Sequence, residues 1–97
     1  MEIKSKETVV SAIEETKNAY YMIEIKYSGA FEDTITNINV SIYELGTDEI
    51  EYGGYIGNIV LNDNNMSCSI SEKDQNYISY FLDFQEIVSK IKTKANE

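Results

Sequence analysis

The chain has 97 residues, with 17 Asp/Glu against 8 Lys, a formal net charge of −9, a single Cys, and no His, Arg, Trp or Pro. That length makes one domain, spanning 1–97, with room for a core but not for a deep cofactor chamber beside it. The missing His closes the Ser/His and Cys/His hydrolase designs, one Cys cannot build a zinc site or an internal disulfide, and the excess of acid opposes direct binding to nucleic acid or anionic membranes.

Taken in chain order, residues 6–18 place Val9, Ala12, Ile13 and Thr16 on one helical face, with Ser5 or Thr8 as cap, and predict a short amphipathic helix. From Tyr20 to Ser28 the period changes to two: Tyr21, Ile23, Ile25 and Tyr27 alternate with Met22, Glu24 and Lys26, the pattern of a half-buried strand. A turn over 29–33 precedes a second strand, in which Ile38, Val40 and Ile42 alternate with Asn37, Asn39, Ser41 and Tyr43. Gly46-Thr47-Asp48-Glu49 reads as a hairpin loop. A third strand is expected over 50–61, where Gly53, Gly54 and Gly57 predict a bulge or a strong bend.

After a turn at 62–65, Met66, Cys68 and Ile70 alternate with serines in a short fourth strand, which makes Cys68 an expected core thiol. Ser71 to Asp74 has the spacing of a capping box and introduces a long helix from Asp74 to about Lys92. Its apolar residues, Tyr77, Ile78, Phe81, Leu82, Phe84, Ile87, Val88 and Ile91, recur at three and four, and lysines close it. The expected fold is α+β: a four-stranded antiparallel sheet with a short N-terminal helix and a long C-terminal helix packed on one face.

Charge is unevenly distributed. Residues 27–89 hold 11 acids and one base, Lys73, whereas the first 26 residues sum to −1 and the last eight to +2. The acids therefore belong to the sheet, its turns and the start of the last helix, and their natural complement is a basic partner. Read as strand residues two apart, Glu49 and Glu51 would lie about 6.6 Å from each other, near the spacing of successive phosphates along a nucleic-acid strand. Tyr20, Tyr43, Tyr52 and Tyr55 sit close to the acids in sequence and supply the large, low-entropy contact area typical of interfaces, while Tyr27 and Tyr77 read as core. The expected partner-binding set is Glu32, Asp33, Asp48, Glu49, Glu51 and Asp63 for charge, with Tyr52 and Tyr55 for area.

In size, acidity, α+β make-up and lack of catalytic groups, the chain resembles the small phage-borne anti-CRISPR proteins, some of which use acidic surfaces to occupy the DNA-reading site of CRISPR effector nucleases. The resemblance is one of class, carried by composition over the whole chain, and it transfers no individual residue. It implies a non-enzymatic inhibitor that blocks a basic nucleic-acid-binding surface by standing in for DNA phosphates, without cofactor or metal. Acidic anti-restriction proteins and immunity proteins of nuclease toxins use the same electrostatics. The alternative is an accessory or oligomeric interaction domain, a homodimer included, whose acidity only keeps it soluble and its edge strands unpaired.

Weaker signals read as structure. Asp63 to Asp74 imitates part of a calcium loop but has Cys68 where a Gly is required. Gly53 to Gly57 lacks the Lys-Ser/Thr of a phosphate loop. Asp48 and Glu51 form a carboxylate pair of the kind hydrolases use, here on a solvated loop. The charged segment Met1 to Val10 has no apolar core of a secretion signal, and a reducing cytoplasm is the expected location, the host cytoplasm if the chain is phage-encoded. The skew to Ile, Asn, Lys, Tyr and Phe, 42 of 97 residues, fits AT-rich coding DNA.

Overall fold

The computed structural model describes residues 7–28, 34–62, 65–70 and 77–95. Among these residues five strands, β1 (Glu7–Glu15), β2 (Tyr20–Ser28), β3 (Thr34–Leu45), β4 (Tyr52–Asn62) and β5 (Asn65–Ile70), precede one helix, α1 (Tyr77–Ala95). The strands form an antiparallel sheet in the order β1-β2-β3-β4-β5, each pairing with its neighbour in sequence.

The segment expected as an N-terminal helix is instead edge strand β1, which replaces the four-strand, two-helix arrangement with five strands and one helix. Thr8, Val9, Val10 and Ile13 are β-branched and lose rotamer freedom in a helix. Their nine-residue run pairs along its whole length with β2, from Glu7↔Ser28 to Glu15↔Tyr20, whereas an isolated helix that short is marginal in water. The turn into β2 is held by Thr16. Its amide donates to the Ala19 carbonyl (3.0 Å), and its hydroxyl accepts from the Asn18 and Ala19 amides (3.0 and 3.4 Å).

The alternation in β2 and β3 decides which face is buried. Tyr21, Ile23, Ile25, Ile38, Val40, Ile42 and, from β4, Ile59 meet Tyr80, Phe84 and Ile87 of α1 in a single core. The helix lies on that face, and no other described element covers the opposite, open face. Tyr27 packs against the core as expected, but Tyr77 is exposed, because it sits on the flank of the first described turn of α1. The capping-box residues lie outside the described residues.

Of the bulge or strong bend expected at the β4 glycines, the pairing shows the irregular register of a bulge. Pairing of β4 with β3 slips between Ile42 and Tyr43 and again between Tyr43 and Leu45, opposite the segment containing Gly53, Gly54 and Gly57. A Cβ at Gly57 would lie 2.2 Å from the Ser69 carbonyl oxygen, so β4 and β5 approach there as only a glycine allows.

Cys68 does not join the core. Its alternation places it on the helix side of the sheet, across from Ile59, yet it is exposed because α1 does not extend over β5. Partial burial nevertheless pushes its thiol above the ordinary value, so little thiolate is present at neutral pH.

Candidate functional site

Both β1–β2 and β3–β4 connections lie at one end of the sheet, and the second carries the acids. The loop Gly46–Glu51 is built like the first turn: the Thr47 amide donates to the Ile50 carbonyl (2.8 Å), while the Thr47 hydroxyl accepts from the Glu49 and Ile50 amides (3.2 and 3.3 Å). Gly46 lets the loop close, since a Cβ there would fall 2.2 Å from the Glu51 carbonyl oxygen and 2.3 Å from that of Ile50. On this short, tied loop and the strand leading into it, Glu44, Asp48, Glu49 and Glu51 are all exposed.

Beside the acids the two β4 slips bring four tyrosines together on the open face. Tyr20 stacks on Tyr52 (ring centroids 5.0 Å, 24° between planes), and Tyr43 meets Tyr52 and Tyr55 edge-on (5.0 and 5.4 Å). Each such contact adds about 0.5–1.5 kcal/mol beyond area burial. The Tyr20 ring is covered, whereas Tyr52 and Tyr55 retain 38% and 61% of their surface. The cluster thus has a fixed base and two rings offered to solvent.

Tyr20 also ties the rings to the acids. Its hydroxyl donates to Glu51 Oε1 at 2.7 Å. That bond to a carboxylate, with desolvation and the Glu51 charge behind it, pushes the phenol up to about 12. In Glu51→Gln the carboxylate is gone, so Tyr20 is expected to titrate nearer its ordinary 10. Ultraviolet absorbance during an alkaline titration will show this as one phenol ionising earlier, and an unchanged curve would mean the bond is absent in solution.

Of the eight residues expected at the binding site, the structure unites Asp48, Glu49, Glu51, Tyr52 and Tyr55. Glu32, Asp33 and Asp63 lie outside the described residues; the strand ends that bracket them, Ser28/Thr34 and Asn62/Asn65, are at the opposite end of the sheet. The expected strand spacing of Glu49 and Glu51 does not hold, because β4 begins at Tyr52 and both residues belong to the loop. Glu51 is moreover held by Tyr20. Tyr43, already near the acids in sequence, meets Tyr52 and Tyr55 through the slipped register, while Glu44, which the expected set did not include, is exposed on β3 and faces Gly53 and Gly54.

Nor is the sheet itself acidic. Two cross-strand rows of the open face, Ser11–Glu24–Asn39–Val60–Ser67 and Ile13–Met22–Ser41–Asn58–Ser69, contain one charge, Glu24. At the β3–β4 hairpin, by contrast, four of the described acids, Glu44, Asp48, Glu49 and Glu51, are exposed together.

Asp83, one of the 11 acids counted over residues 27–89, is buried and structural. Its Oδ2 accepts hydrogen bonds from the Tyr21 hydroxyl (2.6 Å), the Thr16 hydroxyl (2.8 Å) and the Asn18 side-chain amide (3.1 Å), joining α1 to the β1–β2 turn. Burial draws its pKa upward, but the three bonds and the nearby Lys17 charge outweigh that and leave it below the ordinary carboxylate value. A second link on the same flank is the exposed Lys90 Nζ–Glu14 Oε1 pair at 2.9 Å.

Among the described residues no group of three or more Asp, Glu, Cys or His is placed to hold a metal ion, and no helix is long and apolar enough to cross a membrane. Comparison with protein-family models, with curated proteins and with solved structures finds no match to this chain.

Proposed function

We propose that the protein is a non-enzymatic binder that presents the β3–β4 hairpin to a basic, nucleic-acid-binding surface of a larger protein, such as a nuclease or CRISPR effector, and so blocks access to it. The observation that carries this reading is the pairing of four exposed carboxylates with two exposed, pre-positioned tyrosine rings on one hairpin, β3–loop–β4. Acids alone would serve solubility. Rings fixed beside them add contact area whose ordering entropy is already spent in folding, and the charge steers encounter with a cationic groove.

Glu44, Asp48 and Glu49 are the electrostatic contributors, because Glu51 is committed to Tyr20. The test is a salt-titrated pull-down with the tagged protein from a lysate of a low-GC bacterium carrying CRISPR and restriction systems, with mass spectrometry of the eluate. A basic nucleic-acid enzyme should be recovered, released as salt rises, and competed by DNA. The triple variant Glu44→Gln/Asp48→Asn/Glu49→Gln is expected to weaken that capture about 10-fold or more at low salt, with less difference once the charges are screened. Capture of the same enzyme with equal affinity by the triple variant at low salt would overturn the reading.

A further inference from the structure

We infer that the tyrosine cluster is a seat for arginine: a guanidinium of the partner rests against the exposed rings of Tyr52 and Tyr55 while Glu51 takes its N–H groups. This rests on the hairpin reading and names the partner's contacting group, which the acids alone leave open, since carboxylates attract lysine and arginine alike. The face of a phenol ring is the negative end of its quadrupole and attracts a cation placed within about 6 Å of the centroid. Four such rings touch one another here, at centroid separations of 5.0 to 5.4 Å, and Tyr52 and Tyr55 keep 38% and 61% of their surface. The sequence has no Arg, and no Lys between Lys26 and Lys73, so β3, the hairpin loop and β4 bring no cation of their own to the rings.

Glu51 decides between the two cations. Steering falls to Glu44, Asp48 and Glu49, whereas Glu51 has a short-range part because it is tethered: the Tyr20 hydroxyl donates to its Oε1 at 2.7 Å. Tyr20 in turn stacks on Tyr52, the residue that follows Glu51. The carboxylate therefore stands at the rim of the cluster, and among the described residues no hydrogen bond engages its Oε2. A guanidinium is planar and its N–H donors lie in that plane, so it can lie flat on a ring and still donate sideways to a carboxylate. An ammonium is a compact, strongly hydrated point charge with no such plane. Rings with a fixed carboxylate at their rim thus favour arginine over lysine.

The test is titration of the full chain at low salt with two peptides of equal charge, an alternating Gly-Arg and an alternating Gly-Lys octapeptide, followed by calorimetry and proton NMR. The wild type should bind the arginine peptide about 5-fold more tightly, with the arginine δ-protons shifted upfield by the rings. Tyr52→Leu/Tyr55→Leu, at two exposed positions, should abolish that preference while leaving the lysine peptide's affinity and the circular dichroism little changed. Tyr55→Phe, which keeps the ring, should retain it. The Glu44→Gln/Asp48→Asn/Glu49→Gln variant should weaken both peptides and keep their ratio. Equal affinities in the wild type, or a preference that survives the double leucine variant, would overturn this inference and leave the hairpin reading standing, because charge alone would then bind both peptides. Absence of binding to either peptide would overturn both.

Discussion

Replacing Asp83 by alanine is expected to destabilise the fold by about 3 kcal/mol, because it strands a fully buried phenol hydroxyl and removes two further bonds to one carboxylate oxygen. Most of the loss comes from Tyr21. Thr16 and Asn18 are only part-buried and can turn to water, whereas the Tyr21 side chain has no exposed surface. The double variant Tyr21→Phe/Asp83→Ala should therefore be no less stable than Asp83→Ala alone, since removing the orphaned donor relieves its cost. Denaturant unfolding of wild type, both single variants and the double variant closes that cycle. A single-variant cost below about 1 kcal/mol would mean water replaces the carboxylate freely.

The same node has a pH signature. Asp83 titrates below its ordinary 3.8 in the folded state, so its contribution is complete above that value and is lost as pH falls through the lower folded pKa. Tyr21 works at the other end of the scale. Burial, then its bond to Asp83, raises its pKa, so that contribution is complete below the ordinary tyrosine value near 10 and is lost as pH rises. Asp83→Asn keeps the shape and one acceptor, and should flatten the acid limb of the stability curve while costing less at neutral pH than alanine.

What could be read from the sequence was the period of well-paired strands. Alternation in Tyr20–Ser28 and around Ile38–Ile42 placed both strands and their buried faces, and the glycines of β4 announced its slips. β1 was ambiguous because Val9, Ala12, Ile13 and Thr16 fit a helical face, and its apolar residues fall in adjacent pairs, Val9-Val10 and Ala12-Ile13, rather than alternating. The β-branched run and the Thr16–Asn18 turn directly before β2 were the available signals for a strand. Cys68 shows a different limit: alternation names the face a side chain is on, but not whether another element covers it. Asp83 shows a third, since its partners Thr16, Asn18 and Tyr21 lie more than 60 residues away and no local pattern links them. The candidate patch was half visible for the same reason. Asp48 to Tyr55 are neighbours in sequence, but Tyr20 and Tyr43 join them only through register.

Register is also what makes Gly46 the most sensitive position of the patch. In Gly46→Ala the new methyl would meet two backbone carbonyl oxygens, of Glu51 and Ile50, at 2.2 and 2.3 Å, so the loop has to open rather than a side chain move aside. Opening it breaks the Thr47–Ile50 backbone bond and carries Glu51 away from Tyr20. The expected cost is about 2–3 kcal/mol, that of a steric insertion with backbone shift. The phenol of Tyr20 should then ionise earlier than its value of about 12.

Capture of the proposed basic partner should fall at least as far as in the triple charge-neutral variant, although the net charge is untouched. Gly57→Ala makes the comparison informative, since its methyl meets the Ser69 carbonyl at 2.2 Å and strains the β4–β5 pairing instead. Both variants should lower stability, but Gly57→Ala should keep the late Tyr20 titration and the salt-sensitive capture. If Gly46→Ala retained capture while losing the Tyr20–Glu51 bond, charge alone would suffice and the tyrosines would be structural. Loss of both in Gly46→Ala, with both kept in Gly57→Ala, assigns binding to the shape of the loop as well as to its charge.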